Sequence, residues 1–179
     1  MQLKGKSFYL KTLKAKDLNA DYFSWLNDKN VTKYLNLDNF VDKNKKKLFK
    51  DFKKYDQKKN FFFGIFTRKE NKFIGTITLL INTRDKIGYI GFLVGDKAYW
   101  GTNAAFEAVK IILRFSFSKH KLCKIWGVTI TENIGAILVL KKNKFVQEGY
   151  LRQHVRKNNK QYDRLMFGIL KRDWQKYNK

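Results

Sequence analysis

Between Val94 and Ala104 the chain changes its apolar period, and that change constrains the fold more than any other feature. Upstream, β-rich runs at 61–67, 72–82 and 87–94 are separated by the polar breaks Arg68-Lys69-Glu70-Asn71 and Thr83-Arg84-Asp85-Lys86, a pattern of consecutive antiparallel hairpins. Downstream, Ala104, Ala105, Ala108, Ile112 and Phe115 recur at helical spacing, with Glu107, Lys110, Arg114 and Ser118 on the opposite face. Another β-rich run follows at 124–130. Strands 87–94 and 124–130 are therefore joined by a crossover helix and expected to lie parallel.

Around this junction the pattern places a strand at 7–13, helices at 17–27 and 133–142, and strands at 145–154 and 161–170. In the charge run 43–59, Val41, Leu48, Phe52 and Tyr55 keep helical spacing and Asp42 is placed to cap the helix. The sum is an α+β fold with a mixed sheet of about seven strands, mostly antiparallel, and about four helices. At 179 residues, 44% apolar and 16% aromatic, the chain is expected to form one domain over 1–179 with a filled core, which excludes disorder.

The formal net charge is +24, from 32 Lys and 7 Arg against 15 Asp and Glu. With 15 Asn and no Pro, this is the profile of A/T-biased codons, whereas nucleic-acid recognition favours arginine's planar fork. Two readings stand: a solvated lysine surface, or a field that helps hold an anionic partner. A non-catalytic RNA- or ribosome-binding module is the competing function class. Against it, the chain lacks an RNA-recognition strand signature, a helix-turn-helix and a GXXG loop.

The lone Cys123 excludes an internal disulfide and a multi-cysteine zinc site, fits a reducing, cytoplasmic setting, and reads as a small core residue. His120 and His154 show no metal-ligand spacing, so no metal is expected. No run approaches the roughly 20 apolar residues of a membrane span, and Met1 to Lys6 lacks a signal-peptide core. No membrane partner is expected, and the chain is compatible with a monomer or a homodimer.

The segment Leu93-Val94-Gly95-Asp96-Lys97-Ala98-Tyr99-Trp100-Gly101-Thr102-Asn103-Ala104-Ala105 runs from a strand through a loop into a helix N-terminus. There, first-turn N–H groups lack intrahelical acceptors and the helix dipole favours an anion. A pyrophosphate suits such a site.

Within that segment, Tyr99-Trp100-Gly101-Thr102-Asn103-Ala104-Ala105-Phe106-Glu107-Ala108 resembles the acetyl-CoA loop of GNAT-fold N-acetyltransferases, in particular the ribosomal-protein N-terminal (Rim-type) branch. Four further blocks keep the family's order: Trp25-Leu26-Asn27-Asp28 with Val31 and Tyr34-Leu35; Ile74-Gly75; Ile90-Gly91; and Asn133-Ile134-Gly135-Ala136 through Lys142, Phe145 and Glu148-Gly149. The chain departs from the family pattern at Ala98, at Asn103 in place of the second loop glycine, and at Lys144 in place of the glycine before Phe145. Asparagine tolerates a left-handed backbone.

The resemblance implies a mostly antiparallel sheet with a splayed parallel pair, acetyl-CoA as co-substrate and an amine acceptor. Leu93, Val94 and Gly95 would lend backbone groups to pantetheine, the amides of Trp100, Gly101, Thr102, Asn103 and Ala104 would hold pyrophosphate, and Asn133 would contact the cofactor. The Val94 or Gly95 N–H would stabilise the oxyanion, a contribution of roughly 10²–10³ in rate. Trp25, Asn27, Asp28 and His154 would line the acceptor pocket.

The family's usual acid and base are missing, since those positions hold Ala136, Leu140 and Tyr89. Tyr89 and Glu132 are the remaining catalytic candidates, each with a plain structural alternative: a strand tyrosine, and an acid at a helix start. The attacking amine must be neutral. An α-amine, with a reference pKa of about 7.7–8.0, loses its proton far more readily than a lysine at about 10.4. Protein N-termini and amino sugars, including sugar nucleotides, are the expected acceptors.

Overall fold

A computed structural model describes residues 1–35 and 52–177. Its frame is one eight-stranded sheet formed by β1 (Gln2–Lys4), β2 (Phe8–Thr12), β3 (Asn60–Thr67), β4 (Phe73–Asn82), β5 (Ile87–Val94), β6 (Lys124–Ile130), β7 (Val146–Lys157) and β8 (Lys160–Leu170). In space the order is β1-β2-β3-β4-β5-β6-β8-β7. Every neighbour is antiparallel except β5 and β6, which run parallel as the crossover required.

Four helices are described: α1 (Ala20–Asn27), α2 (Ala104–Arg114), α3 (Ile134–Lys142) and α4 (Lys171–Lys176). α2 buries Ala108, Ile111, Ile112 and Leu113 against Phe61, Phe63, Ile65 and Ile77 on one face of the sheet. α1 buries Tyr22, Trp25 and Leu26 with Phe62 on the other. Bare Phe61, Phe62 and Phe63 thus serve both cores, because successive strand side chains alternate between faces. The two small cores are what hold β5 between α1 and α2.

Several details differ from expectation. β1 adds an eighth strand, carried by the pairing of Leu3 with Leu10. α4 holds a single apolar anchor, Trp174, whose ring packs 5.3 Å from that of Phe117. Beyond α2 the chain widens into a π-helical turn, Phe115–Lys119, which buries three successive residues, Phe115, Ser116 and Phe117. A regular helix would turn one of them to solvent. Cys123 is exposed rather than in the core: its backbone bridges Lys86 and Lys171, leaving the side chain outside. The helix expected over 41–55 lies mostly outside the described residues.

At the end of α3, Lys144 takes φ 67°, and the amides of Lys144 and Phe145 donate to the carbonyls of Lys141 and Leu140. This is a Schellman turn, whose left-handed position favours glycine. A lysine there accepts a cost of about 1 kcal/mol.

Candidate active site

β5 and β6 pair through only Ile87 with Lys124, Gly88 with Ile125 and Tyr89 with Trp126. Beyond Tyr89, β5 stays with β4 as far as Val94, while β6 stays with β8 as far as Ile130. Each strand follows its antiparallel partner and the two diverge. The gap opens into a cleft of about 760 Å³, lined by Phe92, Leu93 and Val94 of β5, the loop residues Tyr99 to Asn103, the first turn of α2 and one face of α3.

The α2 end of the cleft presents open backbone and a lysine. Gly101 has φ +74°, and a Cβ there would meet no atom within 4 Å, so the turn presents bare backbone to open space. Asn103, the N-cap, makes no side-chain bond to the helix. Its Oδ1 instead accepts from Lys142 Nζ at 2.8 Å, and that ammonium lies 4.6 Å from the Phe106 ring centre. The first-turn residues Ala105 and Phe106 line the cleft, where N–H groups lack intrahelical acceptors.

Three of the five loop amides assigned to pyrophosphate are engaged locally. Trp100 N–H donates to Lys97, Thr102 N–H to Tyr99, and Ala104 N–H to Thr102 Oγ1. Ala104 is also fully buried and does not line the cleft. Asn103 has φ −82°, so this position makes no use of asparagine's tolerance for a left-handed backbone.

Gly95 is likewise removed from the cleft. Its N–H donates to the Ile74 carbonyl at 2.9 Å, and a Cβ on it would stand 2.0 Å from the Trp25 ring. Trp25 is therefore the wall behind Gly95, buried in the α1 core, and does not line the cleft. Of the two oxyanion donors considered, Val94 remains. In an antiparallel ladder successive residues point their N–H and C=O to opposite sides, so if Gly95 bonds to β4, Val94 faces the gap. The Val94 carbonyl there accepts from the indole Nε1 of Trp100 at 2.8 Å.

The other expected site residues lie around the cleft without lining it. Tyr89 stands at the point where the strands part, its ring 4.8 Å from that of Trp126. Burial pushes its phenol above the ordinary range, with Arg164 pulling the other way. Glu132 is exposed and accepts from Thr131 Oγ1 at 2.9 Å. Asn27 donates its side-chain amide to the Phe23 carbonyl, and His154 is exposed on β7.

Asp28 pairs with Lys97 at 2.5 Å and accepts from the Asn30 and Val31 amides. The Lys97 contact first, and then these amides, hold its carboxyl below the ordinary value. Asp28 thus shapes the turn that follows it. That turn supplies the lining instead, through Asn30, Val31, Lys33, Tyr34 and Leu35. Lys33 and Lys97 were not singled out by sequence reasoning, and Lys142 entered only as part of the block that begins at Asn133: among so many lysines, nothing local marks the few that face a cleft. Asn133 lines the cleft, but its Oδ1 accepts from Ala136 N–H as the cap of α3.

A mixed sheet that splays at its parallel pair, with an open helix start and a lysine at one end of the gap, defines an acyl-CoA-binding transferase architecture. The chain belongs to the GNAT acetyltransferase family, matching the acetyltransferase (GNAT) domain over residues 8–146. It is 28% identical to the probable N-acetyltransferase YjcK of Bacillus subtilis, across 96% of this chain and 98% of that one. Its fold matches the GNAT-family acetyltransferase of Bacillus anthracis, with TM-score 0.82, 23% identity and coverage of 96% and 99%. It also matches the spermidine N-acetyltransferase of Vibrio cholerae solved with CoA and spermine, with TM-score 0.85, 20% identity and coverage of 96% and 99%.

Proposed function

We propose that this chain transfers the acetyl group of acetyl-CoA to a primary amine, either a small amine or a protein N-terminus, by direct attack in a ternary complex. The observation that carries the reading is the start of α2, where Asn103 leaves the helix to hold Lys142, at one end of a gap edged by Val94. Helix-terminal N–H groups and a lysine suit a pyrophosphate, and the exposed edge of β5 suits the amide-bearing arm that follows it. A small-amine acceptor has support from the V. cholerae neighbour solved with spermine. A protein N-terminus has support from the block resemblance to the Rim-type branch.

In this reaction the amine nitrogen bonds to the thioester carbonyl carbon, the C–S bond breaks, and the amine's proton leaves as the thiolate gains one. Val94 N–H donates to the oxygen on which charge develops, and a fixed donor at that point acts on the transition state more than on the ground state. Lys142 and the first turn of α2 anchor the remote end of the cofactor, so the reacting carbon is held by binding energy from elsewhere.

The test is the thermal transition with and without acetyl-CoA, run beside an assay of thiol release. At 100 times its dissociation constant a ligand of the folded state adds about 2.7 kcal/mol, which for a chain of this size raises Tm by several degrees. Absence of any shift at millimolar acetyl-CoA would overturn the reading.

A further inference from the structure

The cleft passes through the sheet rather than lying on it. Asn103, Ala105 and Phe106 reach it from the α2 side, and Val31, Tyr34 and Leu35 from the side of α1. If the cofactor's pyrophosphate takes the α2 end, an acceptor arriving from the opposite side meets the turn at 30–35.

The charge at that entrance has one sign. Among the described residues lining the cleft the ionised side chains are Lys33, Lys97 and Lys142, and none is acidic. Lys142 stands at the cofactor end with Asn103, and Lys97 is balanced by Asp28. Lys33 is in no ion pair among the described residues, and its exposed ammonium lies 5.0 Å from the Tyr34 ring centre.

The backbone that presents Lys33 is pinned. Lys157, at the tip of the β7–β8 hairpin, donates its ammonium to the carbonyls of Thr32, Lys33 and Leu35 at 2.7, 2.8 and 3.1 Å. These three bonds fix the backbone of the turn on which Lys33 stands. The acid next along the hairpin, Asp163, is engaged by Tyr150 and the Gln153 amide. A polycationic acceptor would be repelled from such an entrance, while an anion would be drawn to it.

We propose that the acceptor is a primary amine whose scaffold carries a phosphate or carboxylate, and that Lys33 is the residue that binds this anionic group. The proposal rests on the acetyl-transfer reading above. It departs from the polyamine chemistry of the V. cholerae neighbour.

The test uses matched acceptors in a thiol-release assay at saturating acetyl-CoA. One pair is glucosamine and glucosamine 6-phosphate, a second is a Ser-Glu and a Ser-Lys N-terminal peptide, and spermidine is the cationic reference. The anionic member of at least one pair is expected to show kcat/KM about tenfold higher than its partner and than spermidine, an advantage that shrinks as salt rises. Which pair responds separates a phosphate from a carboxylate source. Lys33→Glu, at an exposed position, should erase or invert the preference, and Lys33→Ala should remove it, while both keep the acetyl-CoA thermal shift.

Equal or better use of spermidine, or a preference that Lys33→Glu leaves in place, would overturn the proposal. So would an acetyl-CoA shift with no acetylation of either anionic acceptor. Loss of the acetyl-CoA shift in the unmodified chain would instead bring down the acetyl-transfer reading, and this proposal with it.

Discussion

Asn103 and Asn133 stand at the starts of α2 and α3, two helices that face one cleft, and they finish those starts in opposite ways. Asn133 turns its Oδ1 onto the Ala136 amide at 3.2 Å, closing α3 on itself. Asn103 makes no bond to α2 and holds Lys142 instead. The same residue type therefore closes one helix start and, at the other, turns away from the helix to a lysine. A cap residue is functional where it declines to cap, and only the surroundings tell the two apart.

The comparison breaks most readily at Gly101. Gly101→Glu places a side chain on a left-handed turn and a negative charge before the open helix start, so the stabilisation by acetyl-CoA should be lost altogether. Calorimetry or a thermal scan with acetyl-CoA checks this, and retained binding would mean that the α2 start is not the anion site. Lys142→Met keeps the length of the side chain and removes its charge. It should weaken acetyl-CoA about tenfold, or about 1.4 kcal/mol, and flatten the dependence of binding on salt, as read by titration at two ionic strengths.

Asn133→Ala sharpens the contrast with the smallest effect. Loss of an N-cap costs about 1 kcal/mol of stability, measurable by urea unfolding, with acetyl-CoA affinity changed no more than about twofold. A tenfold loss of affinity would show that Asn133 serves the ligand as well as the helix.

The elements most legible in the sequence are those whose side chains answer to a local period. The parallel placement of β5 and β6 followed from one change of period, and α2 from its alanine-rich stripe. β1 was missed because three residues between Met1 and Gly5 carry no period of their own, and α4 because Trp174 is its only apolar anchor. At the site, Gly101 and Asn133 could be named from the sequence. Their states could not, because whether a cap bonds to its own helix depends on side-chain rotamers and on neighbours.

None of the residues expected on the acceptor side lines the cleft, whose lining begins one turn later, at Asn30. Trp25 and Asp28 are rigid supports, one behind Gly95 and one under the turn, and Lys33 and Tyr34 are what they present. No local pattern could reveal that Lys157, 125 residues from Thr32, closes over that turn.

The three-rung junction of β5 and β6 also bears on how the molecule comes apart. β1 to β5 form one run of neighbours along the sheet, and β6, β8 and β7 another, so the sheet consists of two blocks joined by a short seam and by the α2 crossover. Contacts across that seam link distant parts of the chain and are slow to assemble. Because the cleft lies beside the seam, a molecule bound in it touches β5 on one side and α3, the helix that follows β6, on the other, and acts as a cross-brace. Its grip would be felt less in the speed with which the chain folds than in the time the finished molecule survives before the blocks separate.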